Sequence, residues 1–478
     1  MSAQLIDGKQ IPADKGYSPI ESVEEKEYYP QTPAQRRLYF IEQLEKDSIL
    51  YNIQLMDIYC KGIEKEDLEG TFRKLIKRHE SLRTSFFTVK GQAVQRIHEY
   101  EEVCSNFEIE YYETTEEGLI FSEQPGKERT KVIGFHFQEV IEHFVKPFDL
   151  THSPLIRAGL IKIWGNTRIL MLDMHHIISD GVSNVTLIKD LWELYDEEEL
   201  PELRVQYKDY AEWVNSEEQK VIIKKQESFW LKEFQGEIPI LNLPYDYPRP
   251  AKMSFDGDML HFEISIEETR KLNVIAWEHG CTLYMVLFSI YYVLLAKITG
   301  QEDIVVGTMT AGRGHADLHP IVGMFMETLA LRNYPEKEKK FKGFLVEIKG
   351  KILDAFENRN YPFDQLVSKV YYRKDAGRNP LFDVVFEWEN EAERSEKYLQ
   401  EVLMLNQSNP YKVRRSKFDM TLIGAEIEDG LQFNIEYNTR LFKGGTIERF
   451  IDYFKKIVTS ICYDIDQEIS EIEIIPDL

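Results

Sequence analysis

Two rhythms of apolar residues run through this chain. Short unbroken runs suit strands buried on both faces, and Ile169-Leu170-Met171-Leu172 is the clearest of them. Helical spacing takes over a few residues later, where Val185, Leu187, Ile188, Leu191, Leu194 and Tyr195 recur. The same patterns predict strands over 53–59, 155–163, 260–266, 303–307, 382–388, 421–425 and 433–437. Helices are predicted over 65–79, 341–357 and 446–460, and from Pro33 to about Glu45 with Thr32 as N-cap. Residues 283–298 are apolar almost throughout, but Tyr284, Ser289, Tyr291, Tyr292 and Lys297 interrupt them. A membrane span needs roughly 18 to 20 clean apolar residues, so this stretch predicts a buried core helix. Each half combines several strands with packing helices, which fits an α/β protein of two similar lobes.

The irregular stretches divide the chain. Residues 1–27 carry Gly8, Pro12, Gly16 and Pro19 among many charges without periodicity, which reads as a linker, with folding beginning near Tyr28. A lobe boundary near Asn215 gives an N-terminal lobe over 28–215 and a C-terminal lobe over 216–468. Residues 112–131 are charged and glycine-containing, and predict a surface excursion. Residues 308–319 form a long passage rich in glycine and histidine, and such a passage inside a compact lobe is more often functional than idle.

Composition narrows the function classes. A length of 478 residues with 43% hydrophobic and 12% aromatic residues fits a folded enzyme of two lobes with a large core. The formal net charge of -24, with no concentrated basic block, argues against nucleic acid as a partner. Cys60, Cys104, Cys281 and Cys462 are far apart and form no Cys-x-x-Cys pair, so neither a zinc site nor a disulfide framework is indicated and a reducing cytoplasm fits. No apolar run of signal-peptide length occurs in residues 1–16, and no membrane partner is expected.

The chemistry concentrates at Met174-His175-His176-Ile177-Ile178-Ser179-Asp180-Gly181-Val182-Ser183, between the buried strand and the helix that follows. Such a junction lets side chains and unpaired helix-start N–H groups converge on a ligand. Adjacent strand residues point to opposite sides, so His176 is expected to face substrate and His175 to pack inside. Asp180 can fix the loop, and Gly181 allows close approach to the backbone. A metal held by His175, His176 and Asp180 is disfavoured, because adjacent strand histidines diverge.

Seven stretches in order then resemble the condensation domains of nonribosomal peptide synthetases. They are Ala34-Gln35-Arg36-Arg37-Leu38-Tyr39, the cluster from Arg78 to Phe86, the His-His loop, the stretch from Tyr207 to Trp213, the stretch from Gly323 to Thr328, Tyr361-Pro362-Phe363-Asp364, and Arg378-Asn379-Pro380-Leu381-Phe382-Asp383. The resemblance covers nearly the whole chain. It implies two chloramphenicol-acetyltransferase-like lobes in a V-shaped arrangement, with the His-His loop at their junction and a tunnel open at both faces. It also implies amide formation between a donor acyl or peptidyl thioester and an acceptor aminoacyl thioester, both on the 4'-phosphopantetheine arms of carrier proteins, with no cofactor bound intrinsically. An adjacent adenylation domain is the further expected partner, residues 1–27 becoming a connection after a carrier domain and 469–478 a lead into the adenylation domain. His176 is expected to orient the acceptor amine and take its proton. Asp180 is expected to be structural, its charge being costly unless paired. By resemblance its partner is Arg78 or Arg83, with Arg313 as the third candidate. Glu327 stands where the family usually has asparagine, and Asn358-Arg359-Asn360 replaces a common His-Gln-Asp-like triplet. The Ile-Ser-Asp-Gly-Val-Ser form of the loop is more like domains that join two L-residues. Epimerisation of a tethered residue and a non-catalytic docking role are the competing expectations.

Overall fold

The structure is a computed structural model that describes residues 18–44, 48–105, 107–114, 120–123, 130–132, 137–162, 167–371, 375–389 and 415–474. In the first half the elements are β1 (Tyr29–Pro30), α1 (Pro33–Leu44), β2 (Asn52–Lys61), α2 (Lys65–Arg78), β3 (Thr84–Val89), β4 (Gln92–Ile97), α3 (Tyr100–Cys104), β5 (Glu110–Thr114), β6 (Ile120–Glu123) and β7 (Thr130–Val132). They continue with α4 (Phe137–Phe144), β8 (Ile156–Lys162), β9 (Thr167–His175), α5 (Gly181–Tyr195), α6 (Tyr207–Val214) and α7 (Glu217–Glu233). The second half has β10 (Gly257–Ser265), α8 (Ile266–Glu278), α9 (Leu283–Thr299), β11 (Ile304–Thr310), β12 (Glu327–Asn333), α10 (Phe341–Glu357), α11 (Phe363–Val370), β13 (Val384–Glu389), β14 (Met420–Ile427), β15 (Gly430–Asn438) and α12 (Gly444–Tyr463).

Each half is built on a six-stranded mixed sheet, in order β2-β9-β8-β5-β6-β7 and β10-β15-β14-β13-β11-β12. β9 lies between β2 and β8, and eight of its nine residues are buried, which is why its sequence is a continuous apolar run rather than an alternating one. The second core is organised on α9, whose residues from Met285 to Ala296 are all buried, as the apolar stretch 283–298 predicts. Among the described residues no single helix is long and apolar enough to cross a membrane. At the start of α1 the expected cap is present as a reciprocal pair: Thr32 Oγ1 accepts from the Gln35 N–H at 3.1 Å, and Gln35 Oε1 accepts from the Thr32 N–H at 3.1 Å.

Two expectations change. The stretch 112–131 is not only a surface excursion, because β5, β6 and the start of β7 extend the first sheet, with Tyr112 fully buried. Its charges hid strands whose edge position leaves room for polar residues. Ordered contacts also begin before Tyr28. Ile20 is fully buried, its N–H donates to Asp317 at 2.9 Å, and the Val23 N–H donates to Asp209 at 2.8 Å. A few isolated apolar residues in an extended strap leave no periodic trace, so the pattern missed them.

That strap packs where the two halves meet. Ile20, Val205, Tyr207 and Tyr210 share a buried cluster with Leu318, Ile321 and Phe325 from the passage between β11 and β12. Val322 and Met324 from the same passage complete the core of the first half. The passage can lie this close because of two glycines. Gly312 has a positive φ of 64°, and a Cβ there would stand 1.8 Å from the Phe325 carbonyl oxygen. A Cβ on Gly323 would stand 1.8 Å from the Tyr207 ring. Gly323→Ala is therefore expected to lower stability by about 1–3 kcal/mol or more, the range for overpacking a well-filled site, measurable by denaturant unfolding. An unchanged midpoint would show that the passage does not sit against Tyr207.

Candidate active site

β9 ends at His175, and a single 3₁₀ turn, His176–Ile178, separates it from α5. The two imidazoles diverge. His175 is 1% exposed, and its Nδ1 accepts the Ile177 N–H at 3.0 Å, so its hydrogen sits on Nε2, facing Glu42 Oε2 at 3.7 Å. Beneath it, buried Asp173 accepts from Arg157 at 2.6 Å and from Asn52 at 3.0 Å. Burial pushes the Asp173 carboxyl up to about 7, with Arg157 opposing. His175 is thus the packed histidine of the pair.

His176 is half-buried, and its backbone N–H is held by the Tyr51 carbonyl at 2.8 Å. Its Nδ1 lies 2.8 Å from the Ser179 carbonyl oxygen. A carbonyl only accepts, so Nδ1 carries the hydrogen and Nε2 of the neutral ring keeps its lone pair. Burial drives the His176 pKa down to about 4, the Lys417 ammonium pushes the same way, and Asp180 opposes both. The ring is neutral at physiological pH. A Cβ on Gly181, the first residue of α5, would meet nothing within 4 Å, so the space beside the helix start is open.

Asp180 does not meet Arg78 or Arg83. Arg78 donates to Asp190 at 2.7 Å and to the Pro201 carbonyl at 2.7 Å, while Arg83 donates to the His98 carbonyl at 2.6 Å and to Glu80 at 3.3 Å. The reason is reach: Asp190 lies about 15 Å further along α5 than Asp180, at ~1.5 Å of rise per residue. The partner is Arg313, whose Nη1 lies 2.9 and 3.1 Å from the two Asp180 oxygens, with both residues 2% exposed. Asp180 also caps α5 by accepting the Ser183 N–H at 2.8 Å, and it accepts the Phe325 N–H at 2.9 Å. Arg313 Nη2 donates to Ser183 Oγ at 2.7 Å and to the Ile321 carbonyl at 3.1 Å, and the guanidinium lies 4.2 Å from the Phe325 ring centroid. Ser183 Oγ donates to the Gly323 carbonyl at 2.8 Å, and the Tyr207 hydroxyl donates to the Met324 carbonyl. The start of α5 and the passage from the other half form one hydrogen-bonded unit.

A cavity of about 50 Å³ opens beside that unit, lined by Ala34, Arg37, Tyr210, Glu327, Arg359 and Phe363 among others. Glu327 Oε2 is buried there without a donor among the described residues. Burial pushes the Glu327 carboxyl up to about 8, and the nearby Arg359 charge opposes this. A protonated carboxyl offers one O–H donor and one carbonyl acceptor. The larger cavity of about 230 Å³ lies elsewhere in the second half, near Leu241, Asp303, Phe382 and Asp383, and does not include His176. Among the described residues no three His, Cys, Asp or Glu side chains converge as a metal ion would need.

The sequence reading gave no role to Ser183, Glu42 or Lys417. Ser183 had a signal, since it stands three residues after a capping aspartate. Glu42 and Lys417 come from distant parts of the chain and carry none.

A family model described as Condensation domain matches residues 25–478. Gramicidin S synthase 2 of Brevibacillus brevis is 42% identical over 461 residues, which are 96% of this chain and 10% of that protein. The chain thus spans about a tenth of that relative's length. Among solved structures, the X-domain from teicoplanin biosynthesis superposes with a TM-score of 0.79 at 20% identity, covering 96% of this chain and 100% of that one. The first condensation domain of the CDA synthetase does so with a TM-score of 0.71 at 16% identity, covering 94% and 99%. At these identities the superpositions speak to the fold alone.

Arg313→Ala leaves Asp180 charged and buried, so it is expected to cost about 3–5 kcal/mol. Arg83→Ala should cost far less in the same unfolding experiment, and equal losses would contradict the pairing. Glu327 has a second signature. Its folded pKa lies above its unfolded value, so the stability it contributes is complete below about 4.5 and is lost as pH rises to about 8. Glu327→Gln should therefore raise the melting temperature more at pH 8.5 than at pH 5, and an equal change at both would show an ionised carboxylate.

Proposed function

The chain belongs to the condensation-domain family, and from that premise we propose that it joins a donor acyl or peptidyl thioester to the amine of an acceptor aminoacyl thioester. Both substrates arrive on the phosphopantetheine arms of carrier proteins, and the chain itself needs no resident cofactor. The observation that carries this reading is the tautomer of His176: its Nδ1 is committed to the Ser179 carbonyl, so a neutral basic Nε2 remains at the junction of the halves. We assign 28–215 and 216–468 as the two lobes, with the passage between β11 and β12 reaching across the tunnel.

In this mechanism the acceptor amine donates a hydrogen bond to His176 Nε2 and presents its lone pair to the donor's thioester carbon. The C–N bond forms, the C–S bond breaks, and the proton lost from the amine goes by way of Nε2 to the departing thiolate. With a pKa of about 4, His176 is a weak base, so holding the amine in line contributes more than removing its proton. The α-amine, with a reference pKa of about 7.7–8.0, supplies a neutral fraction of its own near pH 7. His175 and Asp180 are supports: the first packs against Glu42, and the second fixes the turn that carries Ser179. The open space at Gly181 suits the passage of an arm. The loop Ile178-Ser179-Asp180-Gly181-Val182-Ser183 favours joining of two L-residues. An adjacent adenylation domain and a cytoplasmic setting go with the carrier proteins, and the cysteines fit that setting: all four are free, with Cys60 and Cys462 pushed up to about 11 by burial.

The test is intact-mass analysis of donor-loaded and acceptor-loaded carriers incubated with the full chain. Transfer of the donor's mass to the acceptor carrier is expected, with a loss of about 10²-fold or more in His176→Ala and a folded variant by circular dichroism. The rate should rise with pH around the amine's titration and show no step near 6.5. Inverted stereochemistry at unchanged mass would establish epimerisation instead, and no change in either would favour a docking module.

A further inference from the structure

The cavity of about 50 Å³ at the lobe junction is lined by both halves. The first half contributes Ala34 and Arg37 of α1 and Tyr210 of α6, and the second contributes Glu327, Arg359 and Tyr361. Arg37 joins the two, since its Nη1 donates to Thr328 Oγ1 at 2.6 Å and its guanidinium lies 5.0 Å from the centroid of the Phe363 ring. The cavity adjoins the unit that carries the His-His loop. Phe325 lines it and gives its N–H to Asp180 at 2.9 Å, while Gln35, next to Ala34, donates from Nε2 to the Ile177 carbonyl at 3.4 Å. Two polar atoms of the lining residues, Glu327 Oε2 and the hydroxyl of Tyr361, are buried without a hydrogen-bond partner among the described residues, and Tyr361 is 4% exposed. A third, Thr310 Oγ1, belongs to the residue directly opposite Glu327 in the β11–β12 ladder, on the same face of the sheet.

Buried polar atoms are normally hydrogen-bonded, so a cavity that gathers unpartnered ones is built to receive a polar group. The charges decide its kind. Arg37 and Arg359 disfavour a cation, and Asp364, also in the lining, disfavours an anion. Burial pushes the Glu327 carboxyl up to about 8, so at neutral pH it is largely uncharged and able both to accept and to donate. The group that fits is neutral and does both as well. The volume exceeds the ~10–15 Å³ that one water needs and suits a planar amide. We propose that this cavity is a side-chain subsite of the condensation site, taking the primary carboxamide of a residue carried on one of the two thioesters, with Glu327 and Tyr361 as the residues that select it. The proposal rests on the condensation reading. The carboxamide N–H donates to Glu327 Oε2, and its carbonyl accepts from the Tyr361 hydroxyl. An apolar side chain of the same length would leave both atoms stranded, which is how a site with buried polar groups rejects a substrate that lacks the matching one.

The test uses the full chain in competition assays. Glutamine and norleucine, a side chain of the same length without the amide, are presented in equal amounts on the acceptor carrier and, separately, on the donor carrier. Glutamine is expected to be favoured by about tenfold or more on one of the two carriers, which identifies the substrate that uses the cavity. The ratio should fall toward one in Glu327→Leu and in Tyr361→Phe. Equal use of the two residues on both carriers by the native chain overturns the proposal, as does a preference that survives both substitutions. A direct readout uses propanamide, which should shift the NMR methyl resonances of Ala34 and Met326, both in the lining, in the native chain and not in Glu327→Leu. Such shifts in a chain that forms no amide on either carrier overturn the condensation reading and leave the subsite established. Methyl resonances that propanamide does not move show that the cavity takes water only, and overturn the subsite.

Discussion

A carboxylate taken out of water must be surrounded by donors, and Asp180 finds its donors on both sides of the lobe junction. The Ser183 N–H comes from its own helix, while the Phe325 N–H and the Arg313 guanidinium come from the passage between β11 and β12. Losing any of them strands part of a buried charge, so the two segments hold each other in one arrangement. The close packing of Gly323 on Tyr207 and the crossing at Gly312 depend on that arrangement. So does Ser179, next to Asp180, whose carbonyl sets the tautomer of His176 and whose hydroxyl donates to Asn184 at 2.8 Å. A structural ion pair is thus coupled to the orientation of the ring by two short steps along the backbone.

The electrostatics around His176 favour neutrality. Burial dominates, a cation from the second lobe adds to it, and one carboxylate, already shared among three donors, works against it. A ring held neutral is suited to accepting a hydrogen bond rather than storing a proton, which in the proposed mechanism puts the weight on alignment of the amine. The two chloramphenicol-acetyltransferase-like lobes meet at the passage that packs against the start of α5.

Much of this was legible in the sequence where the signal is local. The continuous apolar run of β9, the apolar length of α9 and the Thr32 cap each declare themselves within a single element, because burial and capping are read from neighbours. The sequence expectation that His175 and His176 diverge used strand alternation, whereas in the structure β9 ends at His175 and His176 opens the 3₁₀ turn. The partner of Asp180 was not legible, since a buried aspartate specifies that a cation must come and not from where; Arg313 is 133 residues away in a loop without periodicity. The strap at Ile20, the edge strands after Glu110 and the reach of Lys417 were hidden for the same reason. Their positions are set by tertiary contacts that leave no rhythm in the chain.

The claim that one carboxylate joins the two segments can be read directly by amide hydrogen exchange. The Ser183 and Phe325 amides both donate to Asp180, so in the native chain they should open with the same free energy. Arg313→Met should accelerate both by the same factor. Acceleration at Phe325 with native protection retained at Ser183 would mean that the passage docks independently of the His-His loop, and would contradict the account.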